Sequence, residues 1–298
     1  MQHVLTLITD PARADLDNSI AETARSALGE AGGEPGPSDW LAPGIACDIT
    51  FDGIAPEVAS RAVHASLEGA AVDVAALPRM GRRKMLLVSD MESTIIENEM
   101  VDELAEMAGV GAQVAEVTRA AMNGEIDFRP ALRQRVALLA GLPASELTRA
   151  ADSISFMPGA FALVYTMRAN GAYTALVSGG FRQFSSIVRD RTGFDSDFAN
   201  EIEIENEILS GRIVEPIVGK DAKLEALHRI SQEFGYRADD AVAVGDGAND
   251  LPMLLDAGLG VAFRAKPAVA AATKVRIDHG DLTALLYLQG YRQDEFVD

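Results

Sequence analysis

Apolar residues follow two different rhythms along this chain, and the change between them divides it. Over residues 1–80, short apolar strands alternate with amphipathic helices. Residues 3–9 (HVLTLIT) predict a strand, and 17–28 predict a helix in which Ile20, Ala24, Ala27 and Leu28 share one face and Asp17 caps the start. The stretch 30–38 (EAGGEPGPS) reads as a Gly/Pro loop. A strand is predicted over 45–51, a helix over 56–67 and a third strand over 71–77. The order strand–helix–strand–helix–strand makes a small α/β domain with helices packed on one sheet. Gly81-Arg82-Arg83-Lys84 is a basic, polar break, and it sets the expected division into 1–80 and 81–298.

From residue 85 onward the pattern changes to short, continuous apolar runs. Residues 85–89 (MLLVS), 173–177 (YTALV) and 241–244 (AVAV) suit central strands of a parallel sheet covered on both faces, and 258–263 and 275–277 suit further strands. The first three runs end in polar loops: Asp90-Met91-Glu92-Ser93-Thr94, Ser178-Gly179-Gly180, and Gly245-Asp246-Gly247-Ala248-Asn249-Asp250. In open α/β sheets ligands bind beyond the carboxyl ends of strands, so the three loops are expected to share one crevice. More than 80 residues separate the first two strands, far more than a crossover requires, and 99–108, 112–122, 127–140 and 144–151 read as four helices. They predict a helical cap inserted at about 97–157.

Charge narrows the partners. With 45 acidic and 26 basic residues the net charge is −19, a field that repels phosphate backbones and anionic lipid. Neither nucleic acid nor a membrane is an expected partner, and an anionic small ligand requires a local cation. The longest uncharged run, 153–167, falls short of a bilayer span, and the N-terminus lacks the layout of a signal peptide. The single thiol, Cys47, fits a reducing cytoplasm. Four scattered histidines and one cysteine argue against a zinc site, so any metal is expected to be hard and oxygen-bound.

The loops carry the candidate chemistry. Asp90 directly follows a strand, with Glu92 two residues on. Such a pair suits a divalent cation, or a carboxylate nucleophile that attacks phosphorus beside an acid that protonates the leaving alkoxide and then deprotonates water. It also suits a helix cap or a solvated turn. Asp246 and Asp250 add two carboxylates in a loop whose glycines permit close approach to a ligand, although a satisfied turn would look alike. Ser178-Gly179-Gly180 offers a hydroxyl and open amides at an expected helix N-terminus. Lys223, near the start of a helix over 222–234, supplies a cation, with Lys220 its close competitor. In the cap, Phe128 and Arg135 are seven residues apart, about 20° around a helix, and Leu132 and Leu139 share their face. A guanidinium on an apolar stripe either pairs with a protein acid or awaits an anionic ligand.

These loops, in this order and with the cap between the first two, resemble the haloacid dehalogenase superfamily, and the resemblance narrows to the phosphoserine phosphatases of the SerB type. It covers roughly residues 84–288 and rests on 89–99 (SDMESTIIENE), 122–135 (MNGEIDFRPALRQR), 177–181 (VSGGF), Lys223, 242–251 (VAVGDGANDL) and Ala265-Lys266-Pro267. It implies a Rossmann-like parallel core with an inserted cap, Asp90 as nucleophile and Glu92 as general acid/base. It implies Mg²⁺ on Asp90, Asp246 and the backbone carbonyl of Glu92, with Asp250 behind them, and Ser178, Gly179, Lys223 and Asn249 around the phosphate. By the same resemblance Glu99 meets the serine ammonium, Arg135 the serine carboxylate, and Met122 and Phe128 form the apolar closing surface. The sequence departs from the family at one place: the pattern Asp-x-Asp is here Asp90-Met91-Glu92, whose extra methylene moves the acid by about an ångström.

Residues 1–80 resemble the ACT domains that precede some family members; such domains bind amino acids and pair edge to edge, which implies a homodimer. The expectation is a cytoplasmic, Mg²⁺-dependent phosphatase releasing L-serine and phosphate from O-phospho-L-serine. The alternatives are a related enzyme acting on, or transferring from, another small phosphomonoester, and an amino acid sensor impaired by Glu92.

Overall fold

The computed structural model describes residues 2–122, 125–219 and 221–298, apart from the side chain of Met122. In the N-terminal domain the elements are β1 (His3–Ile8), α1 (Asn18–Glu30), β2 (Glu34–Ala42), β3 (Ala46–Asp52), α2 (Pro56–Ser66) and β4 (Asp73–Pro78). The sheet order is β2-β3-β1-β4, and every neighbouring pair is antiparallel. Asp17 caps α1 by accepting the Ile20 N–H at 2.9 Å. Leu5, Leu7, Cys47, Ile49 and Phe51 form a core with Ala21, Ala24 and Leu28 of α1 and Val63 of α2. Alternation along the strands sends Ile8, Ala46 and Ala75 to the opposite face, where they join the core of the second domain.

One expectation fails here. The Gly/Pro stretch at 30–38 is not all loop, because β2 begins at Glu34 and makes the sheet four-stranded. β2 is an edge strand, where Pro35 and Pro37 cost no ladder hydrogen bond on the open side.

The second domain contains β5 (Leu86–Ser89), α3 (Met100–Met107), α4 (Gly111–Met122), α5 (Phe128–Ala137), α6 (Ser145–Ala151), α7 (Ala160–Ala169), β6 (Tyr173–Phe181), α8 (Arg182–Thr192), β7 (Ser196–Asn200), β8 (Ile202–Glu205), β9 (Ile208–Ile213), α9 (Ala222–Glu233), β10 (Ala241–Gly245), α10 (Leu251–Asp256), β11 (Leu259–Phe263), α11 (Pro267–Ala272), β12 (Val275–Ile277) and α12 (Ala284–Leu288). Its parallel sheet runs β12-β11-β10-β5-β6-β7. Every residue of β5 and β10 is buried, which is why those strands read as unbroken apolar runs.

Helices α3–α6 leave after β5 and form the cap. Its two connections are laced together, with Glu97 N–H donating to Ser155 O at 2.8 Å and Met157 N–H to Ile95 O at 2.9 Å. The antiparallel pair β8–β9, which the sequence reading does not contain, grips the cap from the sheet side: Gly141 N–H donates to Leu209 O at 2.9 Å and Leu209 N–H to Leu142 O at 2.8 Å. Among the described residues no helix is long and apolar enough to cross a membrane.

The break at 81–84 is docked rather than loose. Arg82 pairs with Asp48, and Arg83 pairs with Glu295 at 2.7 Å and lies over the Tyr291 ring.

Candidate active site

The carboxyl ends of β10, β5 and β6 lie side by side. The chain proceeds from β5 to β6 on one side and later fills β10 on the other, so the topology reverses between β5 and β10, where open α/β sheets hold ligands. Asp90 follows β5, and its N–H donates to Val244 O of β10 at 3.0 Å. Its Oδ1 accepts the Met91 N–H at 2.8 Å and lies 2.7 Å from Lys223 Nζ. Lys223 enters from the first turn of α9, is 2% exposed, and also pairs with Asp250. Asp250 Oδ2 accepts the Gly247 N–H at 2.9 Å. A Cβ on Gly245 would collide with the Asp250 carboxylate, which accounts for glycine there.

The carboxylates of Asp90, Asp246 and Asp250 bring their oxygens within 4.8 Å of one another, all buried. Burial, and then repulsion from Asp250, pushes Asp90 well above the usual carboxylate range despite the pull of Lys223. Burial also raises Asp246, against the pull of Lys266. Burial opposes the charge on Lys223, yet Asp90 and Asp250 raise its pKa above the ordinary value. Three buried acids crowd one buried lysine, and an oxygen-only cluster of this kind fits a hard divalent cation.

Glu92 is half-buried, and its Oε1 accepts the Met100 N–H, the first amide of α3, at 2.9 Å. Burial, then the charge of Glu99, pushes Glu92 up to about 7, with the Met100 N–H pulling the other way. The next residue, Ser93, holds a left-handed φ of 54° and donates its hydroxyl to Glu99 Oε1 at 3.0 Å.

A cavity of about 490 Å³ joins the strand ends to the cap. Asp90, Glu92, Asp246, Asn249 and Gly179 line it from the sheet, and Glu99, Phe128 and Arg135 from the cap side. The Phe128 ring reaches to 3.5 Å from where a Cβ on Gly179 would stand. Arg135 settles the choice that its apolar stripe posed with a mixed answer. It lies 3.5 Å from Asp102 Oδ1, a long ion pair, while its buried Nε has no partner. Lys223 and Asp250 sit buried against Asp90.

Ser178-Gly179-Gly180 is not a loop at a helix N-terminus: β6 continues through it to Phe181, with an irregularity in its pairing with β7. The buried Ser178 hydroxyl oxygen accepts the Gly180 N–H at 2.9 Å, and Ser178 is not among the residues that line the cavity. The side chain of Met122 lies outside the described residues, as does Lys220.

Two charged residues went unassigned in the sequence reading. Asp102 partners Arg135, and Lys266 lines the cavity with its Nζ 3.4 Å from Asp246 Oδ2. Lys266 stands three residues past β11, so the end of a fourth strand was the available signal.

The model of the haloacid dehalogenase-like hydrolase family matches residues 87–255, and the chain belongs to that family. Within it, the chain resembles phosphoserine phosphatases. It is 44% identical over 215 residues to that of Lactococcus lactis, covering 72% of this chain and 96% of that protein. It is 42% identical over 214 residues to that of Mycobacterium tuberculosis, again over 72% of this chain but only 52% of that protein, so it spans about half that relative's length. A solved structure of a phospho-aspartyl intermediate analogue of phosphoserine phosphatase superposes with a TM-score of 0.65 at 36% identity, covering 69% of this chain and 98% of that one.

Proposed function

We propose that this chain is a Mg²⁺-dependent phosphatase that hydrolyses O-phospho-L-serine to L-serine and phosphate through an aspartyl-phosphate on Asp90. One observation carries the reading: a single cavity is lined by Asp90 and Asp246 of the acid cluster from the sheet and, from the cap, by Arg135 with an unsatisfied buried donor. That is the polarity of a substrate with a phosphate at one end and a carboxylate at the other. The similarity to phosphoserine phosphatases supports it, and the phospho-aspartyl analogue held by a relative supports the covalent step.

In this reading Arg135 grips the substrate carboxylate, Glu99 accepts its ammonium, and Phe128 with Leu132 covers the small side chain. Gly179 and Asn249 line the phosphate end, with Ser178 and Lys223 behind it. Asp90, Asp246 and the backbone carbonyl of Glu92 would hold Mg²⁺, with Asp250 bracing Lys223. The ion would offset the repulsion between carboxylate and phosphate. Asp90 Oδ attacks phosphorus while the P–O bond to serine breaks, and protonated Glu92 gives its proton to the departing alkoxide. Glu92, now a carboxylate, takes a proton from the water that cleaves the acyl phosphate. We further infer an ACT-like N-terminal domain over residues 1–80, pairing as a homodimer, and a cytoplasmic setting in keeping with the lone, buried Cys47.

The test is substrate discrimination. Arg135→Ala should raise KM for phosphoserine by about 10–100-fold, the worth of a charge-assisted bidentate contact, and leave an uncharged aryl phosphate within about twofold. EDTA should abolish turnover of both substrates and excess Mg²⁺ restore it. Equal losses on both substrates in the variant would contradict the carboxylate assignment.

A further inference from the structure

On the face of the N-terminal sheet away from α1 and α2, a second cavity of about 210 Å³ lies between the two domains. Val4, Asp48 and Thr50 form part of its floor, and Arg79, Arg82 and Arg292 border it. Three guanidinium groups against Asp39 and Asp48 is an unusual balance in a chain of net charge −19.

Both acids are already engaged. Asp39 takes both its contacts from Arg292, at 2.7 and 2.8 Å, and Arg292 also donates to the Trp40 carbonyl at 2.8 Å. Asp48 pairs with Arg82 and accepts the Thr6 hydroxyl at 2.7 Å. Two of the guanidinium groups keep unused donors. Arg82 Nη1 is buried without a hydrogen-bond partner, and the Arg79 guanidinium enters no ion pair or hydrogen bond among the described residues. A buried unpartnered guanidinium nitrogen is costly, and an acceptor that relieves it is bound with that gain.

We propose that this interdomain cavity binds a small oxyanion, a carboxylate or a phosphate, between Arg79 and Arg82. The site is separate from the acid cluster and does not depend on the proposed reaction. A ligand there touches β1, β3, the linker and the C-terminal segment at once, so its binding ties the N-terminal domain to the second.

Trp40, the only tryptophan, lies on β2 between two lining residues and offers a local signal. The Mg²⁺-loaded protein is titrated separately with inorganic phosphate and with succinate, by Trp40 fluorescence and by calorimetry. A saturable Trp40 response to phosphate alone, to succinate alone, or to both identifies the source of the oxyanion. Arg79→Ala, an exposed substitution outside the catalytic cavity, should weaken that binding by about tenfold or more with kcat/KM for phosphoserine unchanged. The proposal is overturned if neither anion saturates below about 10 mM by either method, or if Arg79→Ala binds as tightly as the parent. Calorimetric phosphate binding that survives in Arg79→Ala is product binding in the catalytic cavity, whereas a Trp40 response to either anion that survives there undiminished counts against the proposal.

Discussion

Glu92 shows how one methylene can be absorbed. In place of the shorter acid of the family pattern, its longer side chain reaches the first amide of α3, so the carboxylate is held by the cap itself. Its surroundings favour the neutral form, as a proton donor to a leaving alkoxide requires near pH 7. The same shift has a consequence for stability. The ordinary value is 4.5 and the folded value about 7, so the fold favours the proton. That contribution is complete below about 4.5 and is lost as pH rises through about 7. Glu92→Gln has no titrating proton at this position. In EDTA, the melting temperature of the parent should therefore fall relative to Glu92→Gln between about pH 5 and pH 8. A parent that gains on the variant over that window would contradict the assigned environment. The residue identities at this site were legible in the sequence because Asp90, Glu92, Asp246 and Asn249 sit directly at strand ends. Asp102 was not, and Lys266 was marked only by the stretch Ala265-Lys266-Pro267 with no role attached, because a lysine or aspartate at a helix start looks like any solvated charge until the fold closes around it.

At the scale of elements, the sequence was clear where burial was uniform and misleading where glycine or proline had a local purpose. β5 and β10 read correctly because both faces of the sheet are covered. β2 was hidden by Pro35 and Pro37, which an edge strand tolerates, and the end of β6 was hidden by Gly179-Gly180. Gly180 has a purpose that only the structure reveals. A Cβ there would stand 2.8 Å from Glu92 Oε2 and 3.1 Å from the Ser178 hydroxyl oxygen. The first of these atoms is the tip of a flexible side chain, so Gly180→Ala should cost less than about 1 kcal/mol of stability. It should nevertheless displace the acid and lower kcat by about 10–100-fold. Unchanged turnover in this variant, measured beside its urea midpoint, would show that Glu92 need not occupy that position.

For the molecule as a whole, the junction between domains is a built contact. Asp73 of β4 is buried and accepts the backbone N–H of Asp278 at 2.8 Å, of His279 at 3.2 Å and of Gly280 at 2.7 Å. A few residues on, Leu282 N–H donates to Pro158 O beside the end of the cap, so the N-terminal domain, the end of the sheet and the cap connection share one loop. No sequence pattern marks Asp73, because its partners are main-chain amides about two hundred residues away. Asp73→Ala strands those amides and should lower stability by about 1–3 kcal/mol in urea unfolding. An unchanged midpoint would mean that the Asp73 contacts add nothing to the hold between the domains.

The central claim is that Asp90 itself carries the phosphoryl group during turnover. Acid quenching of the Mg²⁺-loaded enzyme in mid-turnover with phosphoserine, followed by peptide mass spectrometry, tests it most directly. A phosphoryl adduct on Asp90, absent from Asp90→Asn along with all hydrolysis, is the predicted result. An adduct on another residue, or an Asp90→Asn variant that hydrolyses at the parent rate, would contradict it.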